Sequence, residues 1–160
     1  MSDLSHVDDH GQARMVDVSA KPVTSRMARA TGSIQMRRET LEAIRANTIA
    51  KGDVLGIARV AGIMAAKRTS ELIPLCHPIP LSDVSVDITI DDELPGLQVE
   101  ATAKTAAQTG VEMEALVAVS VSLVTVYDMA KAVDRSMVIG AISLAEKLGG
   151  KSGHWTRSSK

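Results

Sequence analysis

Two neighbouring segments of the chain alternate strictly between apolar and polar residues. In "SDVSVDITI", residues 82–90, every second position from Val84 to Ile90 is apolar. Alternation resumes in "LQVEATAK", residues 97–104, after the turn sequence "DDELPG". Because side chains of a strand point alternately to its two faces, both segments are predicted to be strands with one buried face. The short turn between them predicts an antiparallel hairpin.

Helical segments and weaker strands surround this hairpin. Residues 39–64, broken at Lys51 and Gly52, and residues 111–133 are predicted to be helical. Shorter strands are predicted near residue 33, in "TGSIQM", and near residue 140, in "MVIGAISL". The order strand, helix, strand, strand, helix, strand predicts an α+β fold of the ferredoxin-like, split βαβ type. In that fold an antiparallel sheet carries its helices packed on one face.

The amino-acid composition predicts a core of small side chains. The 160 residues include no Phe, one Trp and one Tyr, so burial must come from Ala, Val, Ile, Leu and Met. Such side chains each bury little area, and a domain built from them often covers more by pairing with its own copies. We therefore expect a flexible head over residues 1–14, one domain over residues 15–153, a flexible tail over residues 154–160, and a homo-oligomer.

Charge and cysteine content narrow the classes of partner. A formal net charge of -1 gives no electrostatic reason to bind nucleic acid or an anionic membrane, and we expect neither. No apolar run in the sequence indicates a membrane span. One cysteine cannot form an internal disulfide, and the acidic amino terminus lacks the basic and apolar regions of a secretory signal. The chain is predicted to be cytoplasmic.

The segment "LIPLCHPIP" places Cys76 and His77 between two prolines. Pro74 and Pro78 restrict the backbone, so His77 lies on a stiff loop, which suits a binding site. A surface histidine without a role fits this pattern equally well. Adjacent ligands on an extended chain point to opposite sides, so the pair is a poor metal site, and Cys76 is interpreted as a small buried apolar residue.

The long predicted helix carries acids at both of its ends. In "TGVEMEAL", Thr109 and Glu112 have the spacing of a capping box, and Glu114 can favour the positive end of the helix dipole. In "VYDMAK", Asp128 and Lys131 share one helix face, where an exposed ion pair would contribute little. The apolar surroundings predict burial instead, which can bring the pKa values of such a pair into the range for proton transfer.

A glycine-rich segment near the end, "GGKSG", is not a phosphate loop of the G-x-x-x-x-G-K-S type. Ala145 stands where the first glycine is needed, and too few residues follow for the required helix. With Lys147 and Lys151 it can still wrap a phosphate, or it can be a solvated basic tail. Because no Lys or Arg lies between Arg68 and Lys104, the cations for a polyanion are Arg26, Lys51, Lys67, Arg68, Lys131, Lys147 and Lys151.

Five segments together carry a resemblance to a known family. They are "MVDVSAK" (15–21), "KGDVLGIARVAGIMAAKRTSELIPLCHP" (51–78), "TGVEMEAL" (109–116), "YDMAKAVD" (127–134) and "GGKSG" (149–153). In order and spacing they resemble the MoaC family, the cyclic pyranopterin monophosphate synthases of molybdenum cofactor biosynthesis. The resemblance extends from about residue 15 to residue 153 and leaves the acidic head and the last residues unmatched.

The resemblance implies a fold, an assembly and a reaction. The fold is a ferredoxin-like domain assembled as a hexamer of three dimers. The reaction converts (8S)-3',8-cyclo-7,8-dihydroguanosine 5'-triphosphate to cyclic pyranopterin monophosphate and pyrophosphate. This chemistry moves protons at several atoms and neutralises a triphosphate, but it needs no redox cofactor. No metal site is predicted, although Mg²⁺ on the substrate phosphates is compatible with the sequence.

The resemblance also implies roles for particular residues. Asp128 and Lys131 become an acid/base pair, and Lys51 a second essential cation. The substrate would be bound by residues of the stiff loop, of the start of the long helix and of the cationic set: Leu75, Cys76, His77, Glu112, Met113, Glu114, Arg26, Lys67, Lys147 and Lys151. Because Glu112 and Asp128 are about 24 Å apart along one helix, we expect a site shared between two subunits related by a two-fold axis.

Two other functions remain open from the residues alone. A ferredoxin-like regulatory module that binds a nucleotide without changing it would explain the fold, the oligomer and the cations. It leaves Asp128 and Lys131 without a role. A structural oligomerisation domain would explain still less.

Overall fold

A computed structural model describes residue 7 and residues 10–158 of the chain. Its regular elements are strand β1 Thr24–Gln35, helix α1 Arg38–Arg45, helix α2 Val54–Ala66, helix α3 Thr69–Leu72, strand β2 Asp83–Asp91, strand β3 Gly96–Ala107, helix α4 Glu112–Ala130, strand β4 Val138–Leu148 and strand β5 Trp155–Thr156. The predicted hairpin corresponds to β2 and β3. The weaker strand predictions correspond to β1 and β4, which are both longer than predicted.

The strands form one antiparallel sheet in the order β2-β3-β1-β4-β5. In this order the first strand of the chain lies between the third and the fourth, as in a split βαβ unit. Within the hairpin, Val84 is opposite Ala103 and Ile90 is opposite Leu97, so the apolar positions of both segments share a face. The predicted ferredoxin-like α+β fold is confirmed.

The two longer helices cover one face of the sheet. Helix α4 packs on β1, β3 and β4, and α2 packs on α4 and β2. Along β1, the fully buried Ala28 and Ala30 alternate with Arg29, which forms a 2.8 Å salt bridge to Glu100. The sheet therefore has one apolar face toward the helices and one polar face, as its alternating sequence predicts.

Small residues let these layers approach each other closely. A Cβ atom at Gly32 of β1 would lie 2.8 Å from Val119 Cγ1, so α4 crosses the sheet at a glycine. At Gly62 of α2 a Cβ would lie 2.2 Å from Ser122 Oγ. That hydroxyl donates a 3.0 Å hydrogen bond to the carbonyl of Ala58, which joins α4 to α2. The core is accordingly built from Ala, Val, Ile, Leu and Met side chains.

The predicted helix over residues 39–64 is divided into α1 and α2. The predicted break at Lys51 and Gly52 lies inside the connection, where Gly52 has a φ of 93°. Helix α2 then begins after Asp53, whose side chain accepts a 2.9 Å hydrogen bond from the backbone N–H of Gly56. This is an N-cap, which satisfies a free donor of the first helical turn.

Helix α4 is long and apolar enough to cross a membrane by length and composition alone, although no such run was predicted from the sequence. More than half of it is buried inside the protein. Val119, Leu123 and Val126 are fully buried against the sheet. A core helix covered on several sides needs no polar face, which accounts for this composition.

The structure describes only part of the predicted head and tail. Most of the predicted flexible head, residues 1–6 and 8–9, lies outside the described residues, and Val7 forms an isolated bridge with Ala13. Within the predicted flexible tail, residues 155–156 form β5, paired with β4. Two residues show no periodicity, so this strand depends on the neighbouring β4 edge and not on a local pattern.

Candidate functional site

Two adjoining cavities form one cleft beside the start of α4. The first, called the histidine half, has a volume of about 390 Å³ and is lined by Val16, Val18, Lys21, Leu75, Cys76, His77, Ile79, Thr109, Gly110, Glu112, Met113 and Glu114. The second, called the cationic half, has a volume of about 450 Å³ and is lined by Lys21, Pro22, Thr24, Arg26, Gln108, Thr109, Gly110, Glu112, Lys147, Gly150 and Lys151. Lys21, Thr109, Gly110 and Glu112 line both halves.

The histidine half contains the loop that the two prolines were predicted to stiffen. Its backbone turns at Cys76, whose N–H donates a 3.1 Å hydrogen bond to the carbonyl of Ile73. The Nε2 atom of His77 lies 2.7 Å from the carbonyl oxygen of Val16. Because a carbonyl oxygen can only accept, Nε2 carries the proton in this contact. His77 thus joins the loop to the segment that precedes β1.

The Cys76 thiol lines the cleft and is half-buried. Burial, followed by the negative charges of Glu114 and Glu112, raises its pKa. A raised pKa disfavours the thiolate, which is the reactive form of cysteine. This environment supports the interpretation of Cys76 as a packing residue.

The first turn of α4 supplies two carboxylates with different environments. Glu114 has 3 % exposure, and its pKa is raised by burial, with a smaller contribution from the charge of Glu112. Glu112 accepts a 2.9 Å hydrogen bond from Lys147 Nζ, which is also a salt bridge. Glu112 is therefore a carboxylate whose charge is balanced by a lysine, whereas burial disfavours the charged form of Glu114.

The predicted capping box between Thr109 and Glu112 is not formed. Helix α4 is preceded by Val111 at its N-cap, without a side-chain hydrogen bond. Glu112 is consequently the first helical residue and cannot hold the third position of a capping box. Its carboxylate instead contacts Lys147 of β4 across the cleft. The sequence spacing could not anticipate this partner because it is distant along the chain.

The cationic half is built around Arg26 of β1. Its Nε donates a 3.0 Å hydrogen bond to the carbonyl of Ala107, and its Nη2 donates to the carbonyl of Gln108 at 3.2 Å. The loop after β4 packs against this guanidinium, since a Cβ at Gly150 would lie 2.2 Å from Nη1. Gly150 has a φ of 71°, a conformation that favours glycine. The glycines of "GGKSG" thus allow the loop to approach Arg26.

Most of the predicted binding residues come together in this cleft, and one of them does not. The predicted set in the cleft is Leu75, Cys76, His77, Glu112, Met113, Glu114, Arg26, Lys147 and Lys151. Lys67 lines a different cavity, together with Asp83. That cavity adjoins the histidine half, because Ile79 lines both.

A separate charged cluster, called the lysine-aspartate triad, lies at the far end of α4. Asp128 forms salt bridges of 2.8 Å with Lys131 and 2.7 Å with Lys51. Hydrogen bonds from Lys131 and then Lys51 lower the pKa of Asp128 to about 2. Lys51 also donates a 3.0 Å hydrogen bond to the Asp128 carbonyl oxygen. The three predicted catalytic residues therefore form one contiguous group.

The expected burial of Asp128 and Lys131 is wrong within the single chain. Their side chains are 53 % and 52 % exposed. Met129 and Ala130 remain buried to the end of α4, whereas Asp128 lies on an exposed side of the helix and meets Lys51 of the connection between α1 and α2. The low pKa of Asp128 comes from two ammonium groups and not from burial.

Two residues that contribute to the cleft were not predicted from the sequence. Lys21 lines both halves, and Gln108 donates a 3.1 Å hydrogen bond to the carbonyl of Ser19, which ties the segment before β1 to the end of β3. Lys21 is the single lysine of "MVDVSAK", one of the segments that carry the family resemblance, and this was the available signal. Among residues 7 and 10–158, no group of three His, Cys, Asp or Glu side chains could hold a metal ion.

Comparison with known proteins identifies the family of this chain. The MoaC family model matches residues 15–150. The chain belongs to the MoaC family. A relative from Thermomicrobium roseum is 59 % identical over 157 residues, which cover 98 % of this chain and 95 % of the relative. One from Cereibacter sphaeroides is 58 % identical over 99 % of both chains, and one from Brucella ovis is 59 % identical over 97 % of this chain and 94 % of its own.

Each of these three MoaC relatives is named cyclic pyranopterin monophosphate synthase. The match to the MoaC model includes both halves of the cleft up to Gly150 and the complete lysine-aspartate triad. Lys151 and β5 lie after the matched residues.

Proposed function

We propose that this chain is a phosphorus-oxygen lyase of molybdenum cofactor, or molybdopterin, biosynthesis. It converts (8S)-3',8-cyclo-7,8-dihydroguanosine 5'-triphosphate to cyclic pyranopterin monophosphate and releases pyrophosphate. Membership of the MoaC family and the names of its relatives support this assignment. The observation that carries it is a single cleft with a cationic half for a triphosphate and a histidine half for a ring system.

The cleft is suited to a nucleotide-derived substrate. Arg26, Lys147 and Lys151 supply positive charge for the triphosphate in the cationic half. His77 and the neighbouring apolar side chains form a wall for the pterin and ribose in the histidine half. Glu114, whose raised pKa favours the neutral form, can donate a hydrogen bond or a proton to the ring.

The lysine-aspartate triad supplies the second set of functional groups. With a pKa of about 2, Asp128 is ionised at neutral pH and orients Lys51 and Lys131 through its two oxygens. We assign the proton transfers to the lysine ammonium groups and the positioning of those groups to Asp128. This division refines the predicted Asp128 and Lys131 acid/base pair.

We further propose that each active site combines the cleft of one subunit with the triad of another. The two groups lie at opposite ends of α4, about 24 Å apart along its axis, which is too far for one triphosphate to contact both. A two-fold axis that places α4 helices antiparallel brings them together and creates two equivalent sites per dimer. The exposed apolar side chains Ile57, Val60 and Met64 of α2 support self-association, for which we retain a homohexamer of three dimers.

The net charge, the buried helix α4 and the reaction itself support proposals for the partners, the cellular location and the cofactors of the chain. The ligand is a small molecule, and neither nucleic acid nor a membrane is proposed as a partner, given the net charge of -1. A cytoplasmic location fits α4, whose apolar surface is used for the core. The reaction is proposed to need no protein-bound cofactor, with Mg²⁺ carried on the substrate phosphates when present.

The direct test is turnover by the purified chain. Incubation with the cyclised dihydro-GTP, without reductant or flavin, is expected to give equal amounts of pyrophosphate and a cyclic-phosphate pterin. A parallel reaction with chelator measures the contribution of Mg²⁺. Binding of the substrate without either product would favour the regulatory module, and strict dependence on an electron donor would contradict the proposed chemistry.

A further inference from the structure

Strand β5 lies directly beside the strand that carries Lys147. In β4, Glu146 is opposite Thr156 and Lys147 is opposite Trp155 of β5. On the other side of β4, Lys147 is opposite Ala28 of β1. The glycine loop, defined as residues 149–153, connects β4 to β5. Both ends of this loop are therefore fixed to the sheet, although β5 lies beyond the residues matched by the family model.

Strand β4 contains a bulge immediately before Glu146. Its pairing with β1 shifts there, because Ala30 is opposite Leu144 whereas Arg29 is opposite Glu146, which leaves Ala145 as the additional residue. The residue after β5 covers this bulge. The backbone N–H of Arg157 donates a 2.9 Å hydrogen bond to the Ala145 carbonyl, and Arg157 Nε donates to the Leu144 carbonyl at 3.1 Å. A bulge re-aims the side chains that follow it, and Lys147 is two residues away.

Side chains on the polar face of the sheet also join β4 to the residues beside β5. Glu146 Oε2 accepts a 3.2 Å hydrogen bond from Arg29 Nε, and Glu146 Oε1 lies 2.8 Å from His154 Nε2. The hydrogen bond with His154, followed by that with Arg29, lowers the pKa of Glu146. Because neighbouring residues of a strand point to opposite faces, Lys147 points toward the cleft, where it contacts Glu112.

We propose that residues 154–157 form a C-terminal clasp that holds the β4 bulge and the glycine loop, so that Lys147 and Lys151 bind the substrate phosphates from fixed positions. Glu146 of β4 and His154 of the clasp are positioning residues, because their contact joins the two segments. A glycine-rich loop is expensive to order, and fixing both of its ends before binding reduces the entropy lost with the ligand. The clasp rests on the proposed function for the identity of the substrate, but phosphate binding can be measured independently.

Two variants of the chain, both of which keep every residue assigned to the cleft, test the clasp. One chain ends after Gly153, and the other carries Glu146→Gln, in which Arg29 keeps its 2.8 Å salt bridge to Glu100. Asp92→Asn is the matched control, because Asp92 also bridges two cations, Arg38 and Arg45, away from the cleft. The probe is inorganic triphosphate, with its Kd measured by calorimetry, and the assay with cyclised dihydro-GTP supplies KM and kcat.

We expect Kd for triphosphate and KM to rise roughly tenfold in both clasp variants, with kcat within about twofold of the unmodified chain. The control should change none of the three. Kd values within about twofold of the unmodified chain, or a loss of kcat at unchanged KM, would overturn the clasp. If the shortened chain does not fold, the Glu146→Gln chain decides alone. Clasp-dependent triphosphate binding without turnover would refute the proposed function and leave the clasp standing.

Discussion

The two ends of α4 carry carboxylates in opposite electrostatic states. At its start, Glu114 has 3 % exposure and a raised pKa, because burial disfavours the anion. At its end, Asp128 is 53 % exposed, and two lysines lower its pKa to about 2. The positive end of a helix dipole favours an anion, yet Glu114 shows that desolvation outweighs that effect at this position.

This difference separates two chemical tasks on one helix. The start of α4 carries a carboxyl group whose raised pKa favours its neutral form, whereas at its end the carboxylate of Asp128 holds two ammonium groups. The proposed reaction needs a group that can transfer a proton and cations that neutralise the charge of the phosphates. The helix keeps them apart within one chain, so their cooperation depends on a second subunit in the proposed assembly.

The largest expected effect follows from removing a group of the triad. Lys131→Ala is expected to lower kcat by about a hundredfold or more, because general acid/base groups typically contribute that amount. Asp128→Asn is expected to have a similar effect, because it removes the charge that holds both lysine ammonium groups in position. Both side chains are about half exposed, so their loss should leave the unfolding temperature nearly unchanged. Steady-state kinetics and thermal unfolding measure the two quantities. A variant with near-normal kcat would remove its residue from the proposed catalytic group.

Mixing inactive chains tests whether the two ends of α4 cooperate across subunits. One chain carries Glu112→Ala and the other Asp128→Asn, and they are expressed together. With shared sites, a mixed dimer has one site with both lesions and one with neither, so random pairing should return roughly a quarter of the unmodified activity. If each site is formed within one chain, every site carries one of the two substitutions, and no activity should be recovered.

The controls for this experiment are the two chains expressed separately and mixed only after assembly. Distinct affinity tags on the two chains demonstrate that mixed dimers form. Activity that stays at the level of the single variants, in a preparation shown to contain mixed dimers, would refute the shared site. The proposed reaction would be unaffected by that result.

Replacing Glu114 by its neutral counterpart tests the start of the helix. A carboxyl group whose folded-state pKa is raised destabilises the protein once pH rises above its unfolded-state pKa, because folding then opposes ionisation. Glu114→Gln is therefore expected to unfold at a higher temperature than the unmodified chain at pH 8. The difference should narrow toward pH 5, as Glu114 itself becomes protonated.

Glu112→Gln is the matched comparison, because its carboxylate is paired with Lys147 at 2.9 Å. Removing that charge leaves Lys147 without its partner and should not stabilise the chain. Thermal unfolding of both variants at several pH values provides the measurement. The quantity to compare is the unfolding temperature of Glu114→Gln minus that of the unmodified chain at each pH. If this difference is smaller at pH 8 than at pH 5, the raised pKa of Glu114 is contradicted.

Much of this architecture could be predicted because the sequence pattern and the burial agree. The alternation from Val84 to Ile90 predicts β2 correctly, since one face packs on helices. β1 was predicted only in part, because its buried positions include Ala28 and Ala30, whose small side chains give a weak apolar signal. β5 gave no signal because a strand of two residues is too short to show a period.

The site residues could be predicted where the family resemblance named them. They could not be predicted where their partners or their exposure depend on contacts between distant parts of the chain. Cys76, His77 and the acids at the start of α4 do meet in one cleft. The partner of Glu112 was missed, because Lys147 reaches it from β4 and local spacing pointed to a cap. The exposure of Asp128 was missed for a similar reason, since the sequence of an apolar helix does not reveal which of its sides stays uncovered in the fold.

The smallest expected effect concerns Cys76, which lines the cleft together with His77 and the two acids. Burial and the charges of Glu114 and Glu112 raise the pKa of its thiol, so the thiolate is disfavoured at neutral pH. Cys76→Ala should therefore keep kcat/KM within about twofold of the unmodified chain, and the lost contacts should cost at most about 1 kcal/mol of unfolding free energy.

Cys76→Ser separates packing from polarity at the same position. The hydroxyl is smaller than the thiol and needs a hydrogen-bond partner, so this chain should be the less stable of the two variants if Cys76 only packs. Kinetics and thermal unfolding of both variants distinguish the cases. If Cys76→Ala folds normally but is inactive while Cys76→Ser retains turnover, a polar group is needed there, and the cleft must contain a contact to substrate that the packing interpretation lacks.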